Sequence, residues 1–307
     1  MSIYREQSRN IRKTWLLMSL FFGVVMGVAW TFAQIYNNPS ILYIAVVFSM
    51  LMNVASYWFS DKIVLMLHRA EPVDLESGRE LYRIVENLSI TAGIPMPKIY
   101  IIADSAPNAF ATGRNPEHAI VAVTSGILER LNRSELEGVI AHELSHIGNR
   151  DMLLSTVAVV LVGFISIISD FFMRSMWWGG LRSRDSEERR GNGLFMLVGI
   201  ALSLLAPLIA TLLQLAISRK REFLADASGV LLTRYPDGLI SALRKIASHP
   251  QPLATATNAT AHLFFENPFG TDRNRNGERT TSWLTRIFST HPPIEERIRA
   301  LQDTRAQ

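Results

Sequence analysis

The sequence contains no cysteine among its 307 residues. This absence excludes disulfide-stapled folds, thiolate nucleophiles and zinc sites with cysteine ligands. The sequence also lacks an internal repeat and a phosphate-binding loop of the GxxxxGK[ST] type. The net charge of +4 and the pI near 9.5 are basic, but the basic residues flank apolar segments instead of forming a stripe with interleaved aromatic residues. We therefore expect a lipid bilayer as a partner and no nucleic acid.

Charge is also missing from four long segments. Thr14–Tyr36 has 23 uncharged residues, Ile41–Ser60 has 20, Met152–Ser169 has 18 and Leu194–Ile217 has 24. Because about 20 apolar residues cross a hydrocarbon core of roughly 30 Å, these runs predict about four transmembrane or membrane-embedded helices. A buried core helix is the alternative for the 18-residue run.

The ends of the first apolar segment predict its orientation. The segment is longer than the roughly 7–15 residues of a signal-peptide core, which indicates an uncleaved anchor. Basic residues precede it at Arg5, Arg9, Arg12 and Lys13. The link to the second segment, residues 37–40, is uncharged. By the positive-inside rule, we expect a multi-pass membrane protein whose soluble parts face the cytoplasm.

The region between the second and third segments has the pattern of a small α+β unit. Apolar residues recur at helical spacing from Leu81 to Leu88, and Gly93 marks the end of that helix. Three strands are predicted, at Lys98–Ala103, Asn108–Gly113 and Ala119–Val123. Ser134, with Glu137 three residues later, predicts a capping box that begins the next helix.

That next helix carries the sequence HELSH, from His142 to His146. The two histidines are four residues apart, so both imidazoles leave the same helical face and can bind one Zn²⁺. Glu143 is rotated by about 100°, which lets it act as a base on a water molecule. We therefore expect one zinc ion per chain. The alternative is a solvated helix face, since HExxH occurs by chance in about one in a hundred chains of this composition.

A catalytic zinc site needs a third ligand. The metzincin continuation is absent, because Asn149 and Met152 occupy the positions of its glycine and histidine. The best candidate is Glu222, with Asp226 one turn further along the same predicted helix face. A carboxylate ligand and a second carboxylate that fixes an imidazole tautomer suit such a site. The alternative is that both acids pair with neighbouring basic residues, Arg219, Lys220 and Arg221.

HELSH, the apolar hairpin after it and EFLAD together resemble the HtpX group of membrane-bound zinc metalloproteases, which is similar to the CAAX prenyl endopeptidases. NAFATG and STHPPIEERI extend the resemblance over nearly the whole chain. It implies that Glu222 is the third ligand, that Asp226 supports the site, and that His291 and Arg297 face it. It also implies a place in the bacterial cytoplasmic (inner) membrane and the degradation there of damaged or misfolded membrane proteins, a stress function that overlaps with that of an ATP-dependent membrane protease.

We therefore predict a mostly α membrane protein with a small α+β zincin-like metalloprotease domain. Residues 1–60 would form an N-terminal transmembrane hairpin and residues 61–151 the first half of the catalytic domain. Residues 152–217 would form a second membrane hairpin and residues 218–307 the second half of the domain.

The predicted mechanism is peptide hydrolysis without a covalent intermediate. Glu143 would take a proton from water and pass it to the leaving amine, while His291 and Arg297 would donate to the developing oxyanion. An extended substrate would pair with the edge strand formed by Asn108, Ala109, Phe110, Ala111 and Thr112. An ordinary hairpin arm is the alternative for that strand.

Two other functions remain compatible with the motifs. A CAAX-type prenyl endopeptidase would use the same chemistry, but it would usually have more membrane spans around a chamber. A non-catalytic membrane scaffold with structural zinc would have no use for the base Glu143. The remaining histidines lack partner spacing and are predicted to be surface or loop residues: His68, His118, His249 and His262.

Overall fold

A computed structural model describes residues 3–35, 37–179, 219–249, 251–257, 260–269 and 292–305. Within these ranges the protein is mostly helical and has one small sheet. Two sequence predictions, the fourth apolar segment Leu194–Ile217 and the position of His291, lie outside the described residues.

The first two helices, α1 (Ile3–Ile35) and α2 (Ser40–Leu67), pack against each other. Both are long and apolar enough to cross a membrane, as the sequence predicts. Large apolar side chains remain exposed on both helices, for example Trp15 at 62% and Tyr43 at 73%. Such a surface is unfavourable in water and suits a lipid environment, because lipid chains cover apolar side chains that water does not.

The sheet has four strands: β1 (Glu71–Val73), β2 (Lys98–Ile102), β3 (Ala109–Gly113) and β4 (Ala119–Thr124). Their order is β1-β2-β4-β3, with β2 parallel to β4 and the other two pairs antiparallel. The three predicted strands are therefore confirmed, and β3 lies at one edge. The sequence pattern missed β1 because a three-residue strand with a central proline is too short to show alternation.

Three helices accompany the sheet: α3 (Arg79–Ala92), α4 (Ser125–Arg130) and α5 (Arg133–Gly148). α3 ends at Gly93, whose φ of 65° is the left-handed conformation that favours glycine at this position. α5 carries HELSH and is almost entirely buried. It packs against the helices on either side and against β3, so it forms the centre of the predicted catalytic domain, residues 61–151 and 218–307.

The predicted start of α5 at Ser134 is wrong. The cap is Asn132, whose Oδ1 accepts from the Glu135 N–H at 3.0 Å, while Glu135 Oε2 accepts from the Asn132 N–H at 2.8 Å. Glu135 is buried and also accepts from Lys245 at 2.7 Å, whereas Glu137 pairs with a surface arginine. Asn132 with Glu135 and Ser134 with Glu137 both have the spacing of a capping box. The contact of Glu135 with Lys245, which is distant in sequence, distinguishes the first pair from the second.

The third apolar segment lies within α6 (Asp151–Gly179). Its first half packs against the membrane pair, where Val157 and Leu161 join Met18 and Phe21 in one apolar cluster. α5 and α6 meet at 84°, and together they have the length and composition of one further broken span or a re-entrant loop. Arg150, with φ of 57°, lies in the break between the two helices.

Three later helices complete the predicted catalytic domain: α7 (Arg219–Thr233), α8 (Pro236–Ser248) and α9 (Ile294–Arg305). α7 and α8 both pack on α5. Gly229 permits the close approach of α7, because a Cβ at this position would lie 3.0 Å from the backbone nitrogen of His142. This approach brings the acidic side chains of α7 to the HELSH motif.

Candidate metal centre

Three side chains converge where α5 and α7 cross. His142 and His146 leave the same face of α5, with their Nε2 atoms 3.1 Å apart. Glu222, on α7, places its carboxylate oxygens 3.7 Å from His142 Nε2 and 3.6 Å from His146 Nε2. One ligand atom of each residue lies within 4.8 Å of the others, so the three could hold a metal ion.

A carboxylate contacts the Nδ1 atom of each imidazole. His142 Nδ1 lies 2.8 Å from Asp226 Oδ1, and His146 Nδ1 lies 3.2 Å from Asp151 Oδ2. Because a carboxylate only accepts hydrogen bonds, each Nδ1 is assigned as the protonated nitrogen. The other ring nitrogen of each histidine, Nε2, then faces Glu222.

This arrangement calls for a cation. When neither Nε2 carries a proton, two imidazole lone pairs and a carboxylate meet in a buried site, and they repel one another unless a metal cation lies among them. Two histidines and one glutamate are also the ligand set of a class of catalytic zinc sites, which leave a further coordination position open. The residues of the site therefore fit a zinc ion.

The pKa values of the two histidines are shifted in opposite directions, although the neighbouring carboxylates act to raise both. Burial lowers the pKa of His142 to about 4, and the bond to Asp226 offsets this only in part. Burial also acts to lower the pKa of His146, but Asp151 and the charge of Glu222 outweigh it and raise that pKa to about 9. A metal that binds here at neutral pH therefore displaces a proton from His146.

Arg297 lies behind His142 and does not line the cavity at the site. Its side chain is fully buried, and Nη2 and Nε donate to Asp226 at 2.6 and 2.8 Å. Nη1 donates to the carbonyl of Phe265 at 3.2 Å. The sequence predicted a group that faces the substrate. The structure instead places the guanidinium where it orients the carboxylate that holds His142.

The predicted base lies at the metal centre. Glu143 is 2% exposed and lines the same cavity as the three ligands. Beyond the ligands and Glu143, small, polar and apolar side chains line the cavity, among them Ala111, Met152, Ser155, His262, Phe264 and Phe265. This opening is the place where a peptide bond can approach the metal centre.

Of the five predicted substrate-binding residues, only Ala111 lines the cavity. The Asn108 side chain binds the backbone of Glu266 through two hydrogen bonds, and Thr112 binds the hydroxyl of Thr156. Phe110 is fully buried in an apolar cluster. The carbonyl of Ala109 accepts from the Phe265 N–H at 2.8 Å, so the outer edge of β3 is already paired at that end.

Sequence reasoning missed Asp151, His68 and His262. Asp151 lies in the break after HELSH, where helical periodicity does not predict which way a side chain points. The prediction that His68 and His262 are surface or loop residues is wrong about their exposure, because both are buried. Burial lowers the pKa of His68 to about 4. A histidine with no other metal-binding residue at helical spacing gives no indication in the sequence that it is buried.

The model of peptidase family M48 matches residues 76–305 of this chain. The chain belongs to peptidase family M48. Proteins named "Protease HtpX homolog" match over most of its length: 44% identity in Caldanaerobacter subterraneus subsp. tengcongensis, over 98% of this chain and 97% of that protein. The corresponding protein of Pyrococcus furiosus is 46% identical over 94% of each chain. These relatives and the two apolar helices identify this M48 peptidase as a membrane protease.

The fold of this M48 peptidase resembles that of a crystal structure of S. mikatae Ste24p. The TM-score is 0.51, the sequence identity is 18%, and the match covers 97% of this chain and 67% of that one. The likeness shows a common fold.

Proposed function

We propose that this chain is a zinc-dependent endopeptidase that hydrolyses peptide bonds of misfolded or damaged membrane proteins. The observation that carries the proposal is the convergence of two imidazole Nε2 atoms and the Glu222 carboxylate beside Glu143. A scaffold with structural zinc would need the ligands alone. The buried carboxylate of Glu143 at an open cavity favours catalysis instead.

His142, His146 and Glu222 would hold the zinc ion, which when bound polarises the scissile carbonyl and activates water. Glu143 accepts the proton of the attacking water and delivers it to the leaving amine. Asp226 and Asp151 keep the two imidazoles in the tautomer that binds metal. Arg297 positions Asp226, and His291 remains the proposed donor to the oxyanion.

An extended substrate pairs with the part of β3 that faces the cavity. In the antiparallel register of β3 with β4, residues 108, 110 and 112 are the ones whose backbones face β4, so the backbone of Ala111 faces outward. Its small side chain lets another backbone approach. Two other residues hold this strand in place. The Asn108 side chain binds the backbone of Glu266, and the Phe110 side chain packs in the apolar cluster.

The remaining predictions define the setting of the enzyme. We propose about four transmembrane or membrane-embedded helices and a zincin-like catalytic domain, divided at the boundaries given above. The domain faces the cytoplasm of a bacterial cell, at the inner membrane, and its function overlaps with that of an ATP-dependent membrane protease. α6 supports the membrane setting, because it extends from the metal centre into the bundle of α1 and α2.

The proposal is tested by zinc-dependent cleavage of an unfolded soluble protein and of a membrane protein by the full chain in detergent. Glu143→Gln should keep one zinc per chain and lose hydrolysis by at least about 10²-fold, because only the base is removed. Glu137→Gln is the matched control on the exposed face of the same helix, and it should retain activity.

Metal analysis separates the two parts of the proposal. Glu222→Ala should lose both zinc and activity. Full zinc occupancy in purified Glu222→Ala would show that the third ligand is another residue. Wild-type cleavage by Glu143→Gln would show that the base is another residue.

A further inference from the structure

A polar cluster joins the first membrane helix to the metal centre. Asn10, on α1, is 1% exposed, and its Nδ2 donates to Asp151 Oδ1 at 2.6 Å. Arg221 Nη1 donates to the same Asp151 oxygen at 3.1 Å and to Asn10 Oδ1 at 3.3 Å. The other oxygen of Asp151 lies 3.2 Å from His146 Nδ1. An unbroken series of hydrogen bonds therefore runs from α1 to a proposed zinc ligand.

We propose that Asn10 and Arg221 are positioning residues for the metal centre and that α1 is thereby part of it. Their two donors occupy one oxygen of Asp151, which leaves the other oxygen for the His146 Nδ1–H. A carboxylate fixed in this way holds the imidazole with Nε2 towards the metal. The inference rests on the proposed zinc site, but it assigns a role to two residues outside the ligand set, one of which, Asn10, belongs to the first membrane helix.

The position of Asn10 supports a specific function rather than a chance contact. A buried amide at the end of an apolar helix is costly unless its donor and acceptor groups are both satisfied. Asn10 satisfies both within this cluster, and its Nδ2 also lies 3.5 Å from the carbonyl of Asn149, in the break between α5 and α6. The contacts thus fix α1 at the point where the HELSH helix ends.

Apolar packing fixes the same geometry from the membrane side. Below the polar cluster, Met18 and Phe21 of α1 pack with Val157 and Leu161 of α6. α1 therefore cannot move along α6 without disturbing the contact between Asn10 and Asp151. Metal affinity and the position of the anchor are coupled, so a change in one alters the other.

The test measures zinc dissociation constants of the full chain in detergent, by competition with a chelator of known affinity. Asp151→Asn should weaken zinc binding by about 10–100-fold, the usual effect of removing a partner of a metal-bound histidine. Asn10→Ala should weaken zinc binding by about 3–10-fold, because Asn10 contacts the histidine only through Asp151. Asn53→Ala is the matched control. Its amide joins α2 to α1 through the carbonyl of Met18 and has no contact with the cluster.

An exchange of the two side chains tests the link directly. In Asn10→Asp combined with Asp151→Asn, the net charge is conserved and the amide at position 151 can donate to the carboxylate at position 10. Its oxygen still faces His146. The exchanged protein should bind zinc more tightly than either single variant, which additive effects would not produce. This variant also decides the question if Asn10→Ala aggregates.

Two results would overturn the inference. One is zinc affinity in Asn10→Ala equal to that in Asn53→Ala, and the other is an exchanged protein that binds no better than Asp151→Asn. Failure of the zinc site itself has a different signature, because the unmodified chain would then bind no zinc or Glu222→Ala would bind it normally.

Discussion

Arg297 shows how one side chain stabilises the fold and the proposed site together. It is fully buried, and it forms two hydrogen bonds with the buried carboxylate of Asp226. Burial alone would raise the pKa of Asp226, but the charge of Arg297 lowers it well below its usual range. Asp226 therefore remains a charged acceptor for His142.

Arg297→Met should destabilise the protein by about 3–5 kcal/mol, because it leaves the Asp226 carboxylate buried without its partner. The measurement is the free energy of unfolding in denaturant, with the protein in detergent. Arg299→Met is the control on the exposed face of the same helix. A loss below about 1 kcal/mol for Arg297→Met would contradict the assigned role.

At the residue scale, local spacing predicted the groups that share a helix turn. His142, Glu143 and His146 follow from their positions on α5, and Glu222 with Asp226 from theirs on α7. The supporting groups could not be predicted in this way. Asp151 and Asn10 meet only because α1 packs against α6, and neither residue carries a signal for that contact in its own neighbourhood.

The stability of the N-terminus of α5 should depend on pH through Glu135. Burial raises the pKa of Glu135, but hydrogen bonds from Lys245, Ser241 and Asn132 outweigh it and lower the pKa from its usual 4.5. A lowered pKa means that folding favours the carboxylate. Its contribution to stability is complete above about pH 4.5 and is lost as the pH falls through the lowered value.

Glu135→Gln should therefore reduce the free energy of unfolding by about 1–2 kcal/mol at pH 7, because the cap and the pair with Lys245 are weakened. Its unfolding free energy should fall less than that of the unmodified chain between pH 5 and pH 3, taken as about the titration range of a carboxyl group. Glu137→Gln, on the exposed side, provides the comparison. An equal acid response in all three proteins would exclude Glu135 as the titrating group.

The crossing of α5 and α7 predicts a second effect at the element scale. In Gly229→Ala the new methyl group would lie 3.0 Å from His142 N and 3.2 Å from the carbonyl carbon of Ala141. The gain in helix propensity, about 1 kcal/mol, is then offset by strain of about 1–3 kcal/mol. α7 should shift and zinc should bind more weakly. The measurement is the zinc dissociation constant by competition with a chelator. Leu231→Ala, on the same helix and 77% exposed, should leave this constant unchanged.

The elements themselves were largely predictable because they follow local rules. α3 ends at its predicted glycine, and three of the four strands lie where alternation and turns placed them. The cap of α5 was missed because the choice between Glu135 and Glu137 depends on Lys245, 110 positions from Glu135. The break at Arg150 also lies beyond periodicity, which does not predict a bend of 84°.

For the whole molecule, the absence of cysteine makes the orientation directly testable. Single cysteines introduced at Asn38, Ser77 and Ser248 would each be the only thiol of the chain. With a cytoplasmic catalytic domain, a membrane-impermeant reagent added to intact cells should label position 38 alone. Labelling at 77 or 248 before lysis would reverse the proposed orientation, and labelling of all three after lysis confirms that each site is reactive.

The metal centre is also assembled from distant parts of the sequence. His142 and Asp226 are 84 positions apart, and Arg297 follows Asp226 by a further 71. At about 5–20 residues per second, a ribosome needs roughly 4–17 s to pass from His142 to Asp226. On the proposed ligand assignment, a nascent chain therefore has its HELSH helix before its third ligand, Glu222, has been synthesised. Each new copy should be unable to cleave its neighbours, or itself, until Glu222 has left the ribosome.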